Sequence, residues 1–278
     1  MTAADLSTDS ISAALTGSFG RELRVHDAVG STNDEALEWA AAGAPEGAVV
    51  TADQQTQGRG RWSRAWLSPP GTSLSVSLVL RPPDPAITSL LTTLLGVAVA
   101  EAIEAAGGVT CRIKWPNDVL VDGRKVAGIL VESRSTGRGV DAVVAGIGVN
   151  VSWAPEEMPE EIREGATSLV AAGAGPLPRG PLIATILGAV EDRYGRAHTP
   201  EGRTAVVAAA EARSAILGQP VLLRRSDGTL VEARALALLP DGALEVEGPD
   251  GNLVVTAGEV ERIRATEPQD GPPGETTA

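Results

Sequence analysis

Residues 112–130 read RIKWPNDVLVDGRKVAGIL. Lys114 and Trp115 close a strand candidate at 110–114, and Pro116 forces a turn. Two further apolar strands follow at 119–121 and 126–132, with Asp122-Gly123 between them as a hairpin signal. Asn117 and Asp118 offer hard oxygen ligands of the kind that hold Mg2+ beside nucleotide phosphates, although Pro-Asn-Asp is also ordinary turn chemistry. Lys125 puts a cation at a strand start. Gly128, three residues later, lets a ligand lie against the backbone, where a strand-interior glycine otherwise means only a bulge. Of 23 Lys+Arg residues only Lys114 and Lys125 are lysine, so a chain that uses arginine elsewhere keeps its lysines in this one segment.

Upstream, Thr32 and Glu35 have capping-box spacing ahead of an apolar face of Ala36, Leu37, Trp39 and Ala40, and Gly43 stops that helix. Strand candidates at 48–52 and 74–80 flank a glycine- and arginine-rich loop from Gly58 to Gly71. Asp84-Pro85 opens a long helix and Gly107-Gly108 closes it. Downstream come an apolar strand at 143–151, an acidic loop at 155–164, and helices near 181–195 and 201–215. A mixed sheet with packed helices, an α+β catalytic domain over 1–217, is expected. Residues 1–20 read as a short helix or loose arm. After Gly218, short apolar runs at 221–223, 231–238, 244–246 and 253–255 alternate with tight turns, which predicts a small antiparallel β-barrel over 218–265. Residues 266–278, rich in Pro, Gly, Glu and Thr, are expected to be a disordered tail.

A chain of 278 residues can hold one large core and a small second one. Its most apolar stretch, 87–106, is interrupted by Thr88, Ser89, Thr92, Thr93, Glu101 and Glu104, which reads as an amphipathic core helix and not a membrane span. No basic leader precedes an apolar run, so a cytoplasmic location is expected. The single cysteine, Cys111, excludes an internal disulfide and fits a reducing compartment. A formal charge of −13 argues against a chain-wide nucleic-acid surface, so any anion site is local. His26 and His198 have no partners at metal-ligand or triad spacing, and no Gly-x-Ser-x-Gly or Walker loop is present.

Gly58-Arg59-Gly60-Arg61, followed by Arg64 and Trp66, joins close-approach glycines to planar guanidinium forks suited to carboxylate or phosphate. Such a segment lacks internal contacts and is expected to be mobile until an anionic ligand orders it. At Ser31-Thr32-Asn33 the polar groups sit at a helix amino end, where free N–H groups favour polar or anionic ligands. Alone, that is usually only a cap.

Taken in order, Ser31-Thr32-Asn33, Gln55-Thr56-Gln57-Gly58-Arg59-Gly60-Arg61, Lys114-Trp115-Pro116-Asn117-Asp118, Lys125-Val126-Ala127-Gly128-Ile129-Leu130 and Gly146-Ile147-Gly148-Val149-Asn150 resemble the catalytic core of the biotin–protein ligases. The resemblance implies a class II synthetase-like biotin/lipoate ligase core with a C-terminal SH3-like β-barrel. It implies an enzyme that converts biotin and MgATP into biotinyl-5′-AMP and then biotinylates a lysine of a biotin carboxyl carrier domain of biotin-dependent carboxylases. Carried over by position, Ser31, Thr32, Asn33, Gln55, Gly58, Gly60 and Gly128 match biotin-binding residues. Arg59 and Arg61 match the loop over biotin and the adenylate, and Lys125 the lysine that bridges acid and α-phosphate. Arg64, Trp66, Lys114, Asn117 and Asn150 match the ATP side, with Asn117 and Asp118 toward the metal.

The family loop usually reads Gly-Arg-Gly-Arg-x-Gly-Arg, whereas Trp62-Ser63 stands here for the x-Gly pair. The residues before the core are too few for the winged helix-turn-helix of the repressor-type members, so no DNA partner is expected. No membrane partner is expected either, and a weak homodimer is compatible with the resemblance. A lipoate–protein ligase shares this core and adenylate logic, and a non-catalytic carrier-binding module would share the fold.

Overall fold

The computed structural model describes residues 5–136, 139–224, 229–256 and 259–262. Seven strands build the main sheet: β1 (Leu23–Val29), β2 (Val49–Gln55), β3 (Ser73–Leu80), β4 (Arg112–Lys114), β5 (Asp118–Val121), β6 (Arg124–Thr136) and β7 (Gly139–Asn150). Their order is β1-β2-β3-β7-β6-β5-β4, with β1 parallel to β2 and every other pair antiparallel. Strand β1 escaped the sequence reading because it is an edge strand, half-buried along most of its length, and shows no apolar alternation.

The period of two divides the sheet's faces. Val76, Leu78, Ile129, Ala145, Ile147 and Val149 join the main core with the long helix α3 (Pro85–Gly107), backed, after the single turn α4 (Glu160–Arg163) in the chain, by α5 (Arg179–Arg196) and α6 (Pro200–Ala212). On the opposite face, a short helix α2 (Thr32–Ala41) buries Ala36 and Ala40 against Val50, Val79, Ala142 and Val144. Helix α3 starts as its caps require: Asp84 accepts from the Ala86 N–H, and Gly108 ends it in the left-handed region. It is long and apolar enough to cross a membrane, yet 72% of its apolar window is buried in the fold. The expected amphipathic stripe is absent, because consecutive residues from Thr93 to Ala100 are all buried and neighbours cover the helix on every side.

Two further expectations shift by a residue or a strand. The cap of α2 is Ser31, not Thr32, and the capping box does not form: the Thr32 hydroxyl donates to Gln55, and Glu35 pairs with Arg24. The C-terminal region is a five-stranded antiparallel sheet of β8 (Pro220–Arg224), β9 (Leu230–Leu238), β10 (Leu244–Gly248), β11 (Gly251–Val255) and β12 (Glu259–Arg262), one strand more than the runs suggested. Its core includes Trp115 of the main unit, whose indole N–H donates to the Gly242 carbonyl at 2.9 Å. The start of the chain holds a helix, α1 (Thr8–Ala14). The expected tail at 266–278 lies outside the described residues.

Candidate functional site

One transverse row of the main sheet decides where chemistry is possible. Ser75 of β3 pairs with Gly148, Gly148 with Gly128, Gly128 with Asp118, and Asp118 with Lys114, so five residues from five strands stand side by side. Cross-strand partners share a face. This is the face that α2 covers only in part, and the glycines leave a trough where side chains would otherwise stand. The trough opens into a cavity of about 610 Å3, enough for a drug-sized ligand. Every residue matched above to a biotin, ATP or metal role lines it except Gly58. A Cβ at Gly58 would meet the Trp66 carbonyl oxygen at 2.4 Å, so that glycine serves the loop's own closure.

At one end the walls are polar and dry. Ser31, Thr32 and Asn33 are each at most 5% exposed. The Gln55 side-chain oxygen accepts from the Thr32 N–H at 2.8 Å and the Thr32 hydroxyl at 3.0 Å, while its amide donates to Ser75. Ser77 donates toward Thr32 and Asn33, and the Asn33 amide donates to Glu132 at 2.6 Å. Buried polar atoms are thereby satisfied among themselves while remaining able to exchange partners with a ligand.

At the other end the cations gather. Lys125 Nζ lies 2.6 Å from Asp118 Oδ1 and folds back over Gly128, where a Cβ would come within 3.0 Å of it. The Lys125 backbone brackets the 165–167 segment, accepting from the Thr167 N–H and donating to the Gly165 carbonyl. Asn150, buried, donates to the Thr167 carbonyl and ties the end of β7 to the same segment. Asn117 donates its amide to the Ile129 carbonyl, which leaves its side-chain oxygen as an acceptor, and Asp118 lines the same cavity. Among the described residues no group of three His, Cys, Asp or Glu side chains gathers to hold an ion. One carboxylate and one amide oxygen suit a Mg2+ carried largely by phosphates and water, not a resident metal.

The Gly58–Arg64 loop departs from expectation, because it has internal contacts. Arg59 and Ala65 form an antiparallel bridge, Gly60 N–H donates to the Arg64 carbonyl at 2.7 Å, and Trp66 N–H to the Gly58 carbonyl at 2.9 Å. The result is a narrow hairpin whose tip holds Trp62 in the left-handed region, at φ 60°, and half exposed. Trp66 at its base lies on the trough floor: a Cβ at Gly148 would stand 2.4–2.8 Å from its indole. The Trp66 indole N–H is buried with no partner among the described residues, and such an orphan costs roughly 1–3 kcal/mol.

Arg59 engages Asp34 through two hydrogen bonds of 2.5 Å and reaches Glu132 at 3.3 Å. That contact holds the Asp34 carboxyl below the usual carboxylate range and pushes the guanidinium up. The sequence reading missed Asp34, Glu132, Ser75, Ser77 and the 165–167 segment. None carries a local motif; only the strand register and helix placement bring them in. Gly146 and Gly148 were within a quoted motif, and the alternation Gly-x-Gly on a strand was the signal for a cleared face.

Residues 26–150 match the Biotin/lipoate A/B protein ligase family, and residues 216–262 match the Biotin protein ligase C terminal domain. The chain is similar to the bifunctional ligase/repressor BirA of Bacillus subtilis, 39% identical over 87% of this chain and 74% of that protein. It is similar to the biotin–[acetyl-CoA-carboxylase] ligase of Paracoccus denitrificans, 38% identical over 83% of this chain and 96% of that one. Among solved structures, the biotin protein ligase of Aquifex aeolicus in complex with biotin and ATP superposes with a TM-score of 0.75 at 27% identity, covering 87% of this chain and 99% of that one.

Proposed function

The chain belongs to the biotin protein ligase family and is a ligase, and from that premise we propose that it activates biotin with MgATP and passes the acyl group to a lysine of a biotin carboxyl carrier domain. The observation that carries this reading is the union of five sequence-distant motifs around one cavity, polar at one end and cationic at the other. Thr32, Gln55 and Ser75 offer donors and acceptors to a ring with polar edges. A lipoyl dithiolane has none to return, and filling a polar pocket with it would leave buried groups unpaired. Those hydroxyls and amides therefore favour biotin over lipoate.

In the first step the biotin carboxylate attacks the α-phosphorus of ATP, and the bond to pyrophosphate breaks. Two anions must approach each other, so the barrier depends on cations held in place beforehand. Lys125, aimed by Asp118, stands beside the glycine trough and neutralises both. Lys114 and the loop arginines Arg61 and Arg64 face the phosphates. Asn117 and Asp118 would hold Mg2+, which supplies charge neutralisation at the leaving pyrophosphate. Trp66, lifted off Gly148, covers the adenylate from the hairpin. In the second step the carrier's lysine amine attacks the acyl carbon and AMP leaves. The single cysteine, Cys111, fits action in a reducing cytoplasm.

Labelled biotin incubated with a carrier domain, with and without ATP, tests the reading. ATP-dependent label on the carrier is the expected result. A carrier that binds yet stays unlabelled would leave a non-catalytic module, and label from lipoate but not biotin would move the chain to its sister activity.

A further inference from the structure

We propose that Asp34, backed by Glu132, is a positioning residue for this reaction: the two carboxylates hold the Arg59 side chain and so keep the 58–66 hairpin folded down on the cavity. The proposal rests on the reading of the site as one that makes an acyl-adenylate. Sequence alone casts Arg59 as an anion-binding cation. The structure spends its fork elsewhere, with both terminal nitrogens on Asp34 at 2.5 Å and one also 3.3 Å from Glu132. A guanidinium facing two carboxylates carries a net negative surround and is a poor receptor for phosphate.

What Arg59 does control is geometry. Its backbone is bridged to Ala65, so pinning Arg59 pins both legs of the hairpin, and Trp66 is the next residue along. Asp34 lies in the first turn of α2, directly after the Thr32 and Asn33 that build the polar end of the cavity. Glu132 accepts from Asn33 with one oxygen and meets Arg59 with both. One carboxylate thus joins the polar end of the site to the hairpin that covers it. Arg59 and Asp34 are 38% and 49% exposed in their side chains, open to water and screened by salt, so the tie can release to admit substrate and re-form behind it. Such a tie governs how long a reactive intermediate is held more than how fast it is made.

The test uses the full chain with Asp34→Asn, Glu132→Gln and the reciprocal pair Asp34→Arg with Arg59→Asp, each checked for an unchanged thermal unfolding midpoint. Trypsin cleavage after Arg61 or Arg64, sites kept in every variant, reads the hairpin without substrates. Pyrophosphate release driven by biotin and ATP without carrier reads escape of the intermediate. Asp34→Asn is expected to raise the cleavage rate about tenfold and carrier-free turnover about fivefold, with little change in the initial burst, and the reciprocal pair to restore both. Unchanged cleavage and turnover in Asp34→Asn and Glu132→Gln, or a reciprocal pair no better than its single variants, would overturn the proposal. A wild-type chain with no biotin-dependent pyrophosphate release would overturn the functional reading instead, and the trypsin arm would still decide whether Asp34 holds the hairpin.

Discussion

Lys125 and Asp118 face each other across the β5–β6 hairpin, ammonium to carboxylate at 2.6 Å, beside the glycine that lets the lysine chain fold along the strand. The site is dimensioned for a compact point charge. Arginine keeps the charge but brings a planar fork that needs the space above Gly128. Lys125→Arg is expected to slow biotin-dependent ATP–pyrophosphate exchange about tenfold or more, equivalent to about 1.4 kcal/mol of barrier. Lys125→Gln should be worse, because the two anions then meet without compensation. Wild-type rates in both variants at saturating substrates would remove Lys125 from the centre of the reaction.

Gly148→Ala puts a methyl group into the Trp66 indole, 2.4–2.8 Å from three of its atoms. The strand itself tolerates alanine, so folding should survive while the floor of the cavity is lost. Calorimetric titration should show binding of both ligands weakened, by about 1–3 kcal/mol for the overpacked contact. Intrinsic fluorescence should change when biotin and ATP bind the wild-type chain, and lose that change in Trp66→Phe. A constant spectrum would mean that Trp66 does not move.

Arg179, at the start of α5, has no exposed side-chain surface and pairs with Asp5 and Asp53, tying the amino-terminal segment to β2. Asp53 also accepts from the Gly71 N–H where the loop returns to the sheet. Arg179→Ala leaves two carboxylates facing each other around a hole. Urea titration should show a loss of about 3–5 kcal/mol, the usual cost of breaking a buried pair from one side. A loss below 1 kcal/mol would show that the segment around Asp5 relaxes into water.

Burial pushes the Cys111 thiol up to about 12, with Glu104 adding to the effect. Alkylating reagents should leave it unmodified in the native chain at pH 8 and label it once urea unfolds the fold. The folded pKa lies above the unfolded one, so this group's stabilising contribution is complete below the ordinary thiol value of about 9 and is lost as pH rises from there toward 12. Urea midpoints measured across that alkaline window should fall for the wild-type chain more steeply than for Cys111→Ala.

Local chemistry made much of this protein legible before any coordinates. Asp84-Pro85 and Gly107-Gly108 bracket α3 because an N-cap acceptor, a proline at the first turn and a left-handed glycine act within a few residues. Asp122-Gly123 turns the β5–β6 hairpin for the same kind of reason, with both residues at positive φ. Strand β1 was missed because an edge strand needs no apolar alternation, and the cap of α2 was misplaced because Thr32 found a better partner 23 residues away in Gln55.

Sequence by itself determined the chemical vocabulary of the site: which residues carry charge, which glycines clear space, and which turns place them at strand ends. Those properties are local and survive in any fold that keeps the strands. Only the tertiary structure decided how the words combine. The register that sets Ser75, Gly148, Gly128, Asp118 and Lys114 in one row arises from pairing between strands far apart in the chain. So does the pairing of Arg59 with Asp34 and Glu132, since a guanidinium binds whichever carboxylates the fold brings within reach, and nothing adjacent to it in the chain names them.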